Sequence, residues 1–143
     1  MALTLALART IAEAALSEGG GRTFAPLCVT VLDAGGHTLA LLRDERASIS
    51  RPEIATAKAA GCLGMGFGGR ELARRAQAAP AFFGALSAIF PRGIAPVAGG
   101  VLIRDANGVL LGAIGVSGDT SDNDEICALA GVTAAGLIGD AGA

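Results

Sequence analysis

The chain has 143 residues, of which 52% are apolar and 17% charged, with a net charge of −2. That length serves one domain, and so apolar a chain is neither disordered nor equipped with the basic footprint of a nucleic-acid binder. Glycine supplies 22 residues while Trp and Tyr are absent and Phe numbers five, which leaves no aromatic platform for stacking bases.

Thr4 is placed to cap a helix running to about Ser17, with Leu5, Ala8, Ala12 and Leu16 along one side, and Gly19-Gly20-Gly21 is expected to stop it. Arg9 and Glu13 interrupt the apolar run and no basic segment precedes it, so the N-terminus reads as a helix rather than a signal peptide. No stretch reaches the roughly 20 apolar residues of a membrane span. Leu27 to Asp33 is apolar and β-branched, which predicts a buried strand. Asp33-Ala-Gly-Gly36 supplies turn residues, and His37 to Arg43 returns as the second strand of a hairpin.

After the polar loop Asp44 to Ser50, Pro52 suits the first turn of a helix that carries Glu53 and Lys58 and runs into Gly61, Gly64, Gly66, Gly68 and Gly69. A further helix is expected from Glu71 to Ala79, ended by Pro80. Phe82, Phe83, Leu86 and Ile89 then suggest a short helical turn, broken by Pro91 and Pro96. Val97 to Arg104, a turn at Asp105-Ala-Asn-Gly108, and Val109 to Ser117 form a second hairpin. Asp122 stands three residues before Glu125, a spacing like that of a capping box, and the last helix is expected from Asn123 to Ile138. The order α-ββ-αα-ββ-α gives one antiparallel sheet with helices packed on it, an α+β fold in a single domain over residues 1–143. The two hairpins share their turn chemistry, which reads as independent choice of the same turn rather than a duplication.

Cys28, Cys62 and Cys127 are far apart and odd in number, so reduced, buried thiols in the cytoplasm are expected. With one His and scattered cysteines, no metal site is predicted. Gly64-x-Gly66-x-x-Gly69 matches the dinucleotide fingerprint by letters. A helix precedes it where that fingerprint needs a strand, so it reads as a glycine-rich helix end. Lys58 lies alone on a run of alanines, either snorkelling to the surface or offering a charge to a ligand. Gly99-Gly100 within a strand marks close approach of backbone or ligand. Asp119 to Glu125 lacks the glycine and final glutamate of a calcium loop and reads as a helix start dressed with acids.

As a set, Leu32-Asp33-Ala-Gly-Gly-His37-x-Leu39-Ala-Leu41 with Arg43, Ala57-Lys58-Ala59, Ala98-Gly-Gly-Val101, Gly112-Ala-Ile-Gly-Val-Ser-Gly118, Asp124-Glu125 and Cys127-Ala-x-Ala-Gly131 resemble the GlcG/HbpS family. This haem-binding-like domain is also found at the C-terminus of some corrinoid adenosyltransferases. The resemblance covers roughly Leu27 to Ile138. It implies a bacterial, profilin-like three-layer α/β/α domain that forms homo-oligomers, some members binding haem or related tetrapyrroles and others serving catabolic pathways. Where the family carries Gly-Gly-x-Pro, this chain has Gly99-Gly100-Val101-Leu102.

Three functions follow as expectations. The first is a small-ligand or tetrapyrrole-binding protein. Haem needs an apolar slot and usually an axial side chain, for which His37, Cys62, Met65 or a weaker oxygen ligand are the candidates, with Arg43, Lys58, Gly99 and Gly100 as further cofactor contacts. The second is a lyase, isomerase or hydrolase of a small organic acid, with Lys58 binding a carboxylate or moving a proton beside Glu53, Asp124, Glu125, Arg43 or Arg51. The third is a non-catalytic subunit of an oligomer, which a surface short of charge would suit. Neither nucleic acid nor membrane is expected as a partner.

Overall fold

The Thr4 hydroxyl accepts the Leu7 N–H, opening helix α1 over Leu5–Gly21 in a computed structural model that describes all 143 residues. The helix runs through the glycine triplet instead of stopping before it. Gly19 faces the core, where a Cβ would stand 2.5 Å from Leu27 Cδ1 and displace the end of that side chain. The chain leaves the helix through Thr23, the one non-glycine residue with positive φ.

Strands β1 (Cys28–Asp33) and β2 (Thr38–Arg43) form the first hairpin. Helix α2 spans Arg51–Met65 with Pro52 in its first turn, where the missing N–H costs nothing, and ends on the left-handed Gly66. Helices α3 (Gly69–Ala78) and α4 (Pro80–Leu86) follow, then β3 (Gly100–Arg104), β4 (Leu110–Ser117), α5 (Ser121–Ala134) and β5 (Ile138–Asp140).

Three further boundaries differ from expectation. The cap of α5 is Thr120, whose hydroxyl accepts the Asn123 N–H, while Asp122 is turned to another partner. That helix ends at Ala134 because Gly136 adopts φ 73°, which frees Ile138–Asp140 to pair with β3 as an edge strand. Strand β3 starts at Gly100 rather than Val97, since Gly99 turns at φ 112°.

The sheet order is β2-β1-β4-β3-β5, antiparallel throughout. Alternation along the strands divides the apolar residues between two cores. Val29, Val31, Val101, Ile103, Ile114 and Val116 meet α1 and α5, while Leu32, Leu102 and Ala113 meet α2, α3 and α4. Helix α2 lies against the sheet at Gly115, where any Cβ would collide with the Ala55 carbonyl. The result is the three-layer α+β domain expected. No helix is long and apolar enough to cross a membrane.

Candidate ligand-binding groove

One end of the sheet is closed by charge. Lys58 leaves the middle of α2, passes Gly99, and donates from Nζ to the Val116 carbonyl at 2.8 Å and to Asp124 Oδ2 at 2.9 Å. Lys58 is 4% exposed and Asp124 1%. The second carboxylate oxygen accepts the Asp119 N–H at 3.0 Å. Burial pushes the Asp124 carboxyl above its ordinary range and the Lys58 charge pulls it back. Glycine makes the room: a Cβ on Gly99 would stand 2.8 Å from Nζ, and one on Gly100 would meet the Lys58 carbonyl and Cys62 Sγ, both at 2.7 Å. Lys58, Asp124, Gly99 and Gly100 are thus brought together in the interior, and the close approach at the glycines is made by this chain's own atoms.

The other residues singled out in the sequence are dispersed. Glu125 takes a forked pair of bonds from Arg70 at 3.0 and 3.1 Å, joined by Asp122 at 2.7 Å, which ties α5 to the start of α3. Arg43 Nη1 donates to the carbonyls of Asp44, Glu45 and Ala47 and so shapes the 44–50 loop. Arg51 reaches Ser48 and Ser117. Cys62 is fully buried, and burial pushes its thiol up to about 12. Met65 is partly buried against the core beneath α2. Cys28 and Cys127 are likewise buried and free.

His37 closes the turn between β1 and β2. Asp33 Oδ1 accepts the backbone N–H groups of Gly35 and His37, each at 3.0 Å, and faces His37 Nδ1 at 3.2 Å. A carboxylate only accepts, so this contact is a hydrogen bond when Nδ1 carries a proton, and in that neutral tautomer Nε2 is the acceptor. The side chain is 81% exposed.

A groove runs beside this turn, and glycines on α2 create it. A Cβ on Gly61 would stand 2.7 Å from Ile94, and one on Gly64 would stand 3.1 Å from the Phe90 ring. Both side chains therefore lie down on the helix and carry Pro91-Arg92-Gly93 out beside it. One cavity of about 320 Å³ is bounded by Ala34–Gly36, Leu63, Phe90 and Arg92. A second of about 410 Å³ lies between β2 and the start of α2, with Leu41, Glu53 and Thr56 in its walls. Pro91 and Arg92 line both. Arg92 donates to the Gly36 carbonyl at 2.5 Å and to Thr38 Oγ1 at 2.6 Å. No function was expected of Arg92, although a signal existed: it is the one charged residue between Arg75 and Arg104.

Fold and groove together define a small α+β domain with a cleft in the size range of ligand pockets, about 300–1,000 Å³. The chain belongs to the HbpS-like family, whose model, described as haem degrading protein HbpS-like, matches residues 3–133. Among solved structures it is similar to HbpS, with 33% identity and a TM-score of 0.80 over 93% of this chain and 89% of that one. It is similar to Klebsiella pneumoniae protein ORFY of family DUF336, with 28% identity and a TM-score of 0.82 over 94% and 90% of the two chains. A PduOC–haem complex shares the fold at 24% identity, with a TM-score of 0.84 over 96% and 97%. No curated protein matches the chain by sequence.

Proposed function

We propose that this protein binds haem or a related tetrapyrrole in the groove between the first hairpin and α2. The observation that carries the reading is the make-up of that groove: apolar walls from Leu63, Phe90 and Pro91 with one guanidinium, Arg92, at the junction of its two cavities. A tetrapyrrole is a flat apolar ring bearing carboxylates, and those two features call for such a surface. The Asp33–His37 pair fits an iron-bearing ring. Metal-ligating histidines generally hand their other ring N–H to a carboxylate, which fixes the tautomer and raises the basicity of the ligating nitrogen, and His37 has this arrangement with Nε2 free. When bound, haem would supply an iron centre for redox or oxygen chemistry; Arg92 would meet a carboxylate, and His37, which stands on the exposed turn beside the groove and lines neither cavity, would be the side chain to reach the iron. Membership of a family described as haem degrading supports the same reading.

Titration with haemin, followed by the Soret band, tests it. A shift that saturates at a fixed stoichiometry and weakens in His37→Ala is the expected result. Loose, unsaturable binding would sink the reading, and saturable binding untouched by His37→Ala would remove His37 as the ligand. The same protein is read as a homo-oligomer, supported by the exposed apolar side chains Ile49, Phe82 and Ile89. Light scattering at micromolar concentration should return a mass above that of one chain.

A further inference from the structure

Arg92 occupies an unusual position for a surface arginine. It projects from a loop held on α2 by Phe90 and Ile94 and reaches across to the hairpin on the far side of the groove. There it makes two hydrogen bonds, to a backbone carbonyl and to a hydroxyl, and no carboxylate pairs with it. Every other arginine that crosses between elements to bond a side chain is met by a carboxylate or sits beneath the surface: Arg70 with Glu125 and Asp122, Arg104 with Asp140, and Arg51 on the buried Ser117. Arg92 is exposed and spends its charge on neutral acceptors, as Arg43 does within its own loop, but Arg92 does so across the groove between two elements. Arg92 also stands between the two cavities, since it and Pro91 line both.

We infer that Arg92 is a displaceable strap: a ligand carboxylate takes the guanidinium from Gly36 and Thr38, and its swing joins the two cavities into one slot. Guanidinium has five donors in a fork that matches a carboxylate with two parallel bonds, and charge-assisted bonds of this kind are about twice as strong as those to neutral acceptors. The exchange is thus favourable for an acid and unfavourable for its ester. The two cavities, about 320 and 410 Å³, take in opposite ends of α2, Ala60 to Gly64 and Pro52 to Thr56, so a flat ligand that fills both lies along the helix. Glu53, the carboxylate in the wall of the second cavity, repels an anion there and leaves the Arg92 junction as the place for the acid group. The ligand class is therefore a flat apolar carboxylic acid, and the strap selects for the acid. This rests on the tetrapyrrole reading for the ring, while the acid preference belongs to Arg92.

The test uses haemin, metal-free protoporphyrin and protoporphyrin dimethyl ester, titrated into wild type, Arg92→Gln and Thr38→Val by absorbance and porphyrin fluorescence. Metal-free porphyrin removes iron ligation from the comparison. Wild type should bind the diacid at least about tenfold more tightly than the ester, the scale of one hydrogen bond to a charged group. Arg92→Gln should bring the diacid to the level of the ester and leave the ester unchanged. Thr38→Val, which removes one of the strap's acceptors, should tighten the diacid. Both positions are exposed, so the variants should keep the wild-type thermal midpoint. Equal affinity for acid and ester in wild type, or a preference that survives Arg92→Gln, would overturn the strap while the tetrapyrrole reading stood. A wild type that takes up none of the three ligands saturably would overturn both.

Discussion

Removing either partner of the Lys58–Asp124 pair would leave the other charge in the interior, and such losses are typically about 3–5 kcal/mol. Lys58→Met is expected to show that cost in chemical denaturation, and Lys58→Met with Asp124→Asn to recover much of it, because the amide is neutral and its oxygen still accepts the Asp119 N–H. Asp119 makes a second test at this scale. It accepts the Ala25 N–H at 2.7 Å, the Thr120 N–H at 2.8 Å and Asn123 Nδ2 at 2.7 Å, and these bonds, the one from Ala25 foremost, hold its carboxyl below the usual range. The stabilisation is complete above an unfolded value of about 3.9 and is lost as pH falls through the lower folded one. A series of thermal midpoints should therefore drop less steeply below about pH 4 in Asp119→Ala than in wild type. The isolation of Lys58 among alanines was visible in the sequence. Asp124 was one of several residues expected beside Lys58, and the sequence did not single it out, because the contact depends on Gly99 opening a path past the end of the sheet to a residue 66 positions away.

The two hairpins show how far local chemistry decides an element. In each, the first Asp accepts two backbone N–H groups, from Gly35 and His37 or from Asn107 and Val109, and the closing glycine, Gly36 or Gly108, sits at φ 83° or 81°. Short-range bonds of this sort are written in four residues, so both turns were legible. Strand β5 was not, since three residues that follow a helix acquire strand character only by pairing with β3. The glycines facing α2 behave differently from those in turns. Gly115→Ala would drive a methyl into the Ala55 carbonyl, a backbone atom that cannot step aside. Overpacking of this kind costs about 1–3 kcal/mol or more, and Gly115→Ala is expected to lower the urea midpoint accordingly, whereas Gly20→Ala, with open space around it, should not.

At the level of the whole molecule the three thiols sample both cores: Cys62 lies on the buried side of α2, Cys127 on α5, and Cys28 in the strand between the helical layers. Burial lifts the thiols of Cys28 and Cys127 to about 11 and that of Cys62 to about 12, so all three should resist thiol reagents at pH 8 in the native protein. One sheet serves both cores, so Cys62 and Cys127 should become reactive together across a single denaturant transition; separate transitions would show the layers opening independently. The layered architecture could be read from the order of elements. The groove could not, because its walls come from a turn, a helix flank and a loop that no periodicity connects.

Antiparallel pairing of β1 with β4 sets Asp33 opposite Gly112, so both hairpin turns lie at one end of the sheet, and Lys58, Asp124 and Asp119 gather at the other. The molecule therefore has two poles with different tolerance for change. Substitutions at the ion-paired pole disturb every layer. At the turn pole the Asp and closing glycine of each turn hold its shape, and the exposed residues between them can be exchanged with little loss of stability. A lineage built on this plan could revise what it binds, turn by turn, while leaving untouched the pole on which its folding depends.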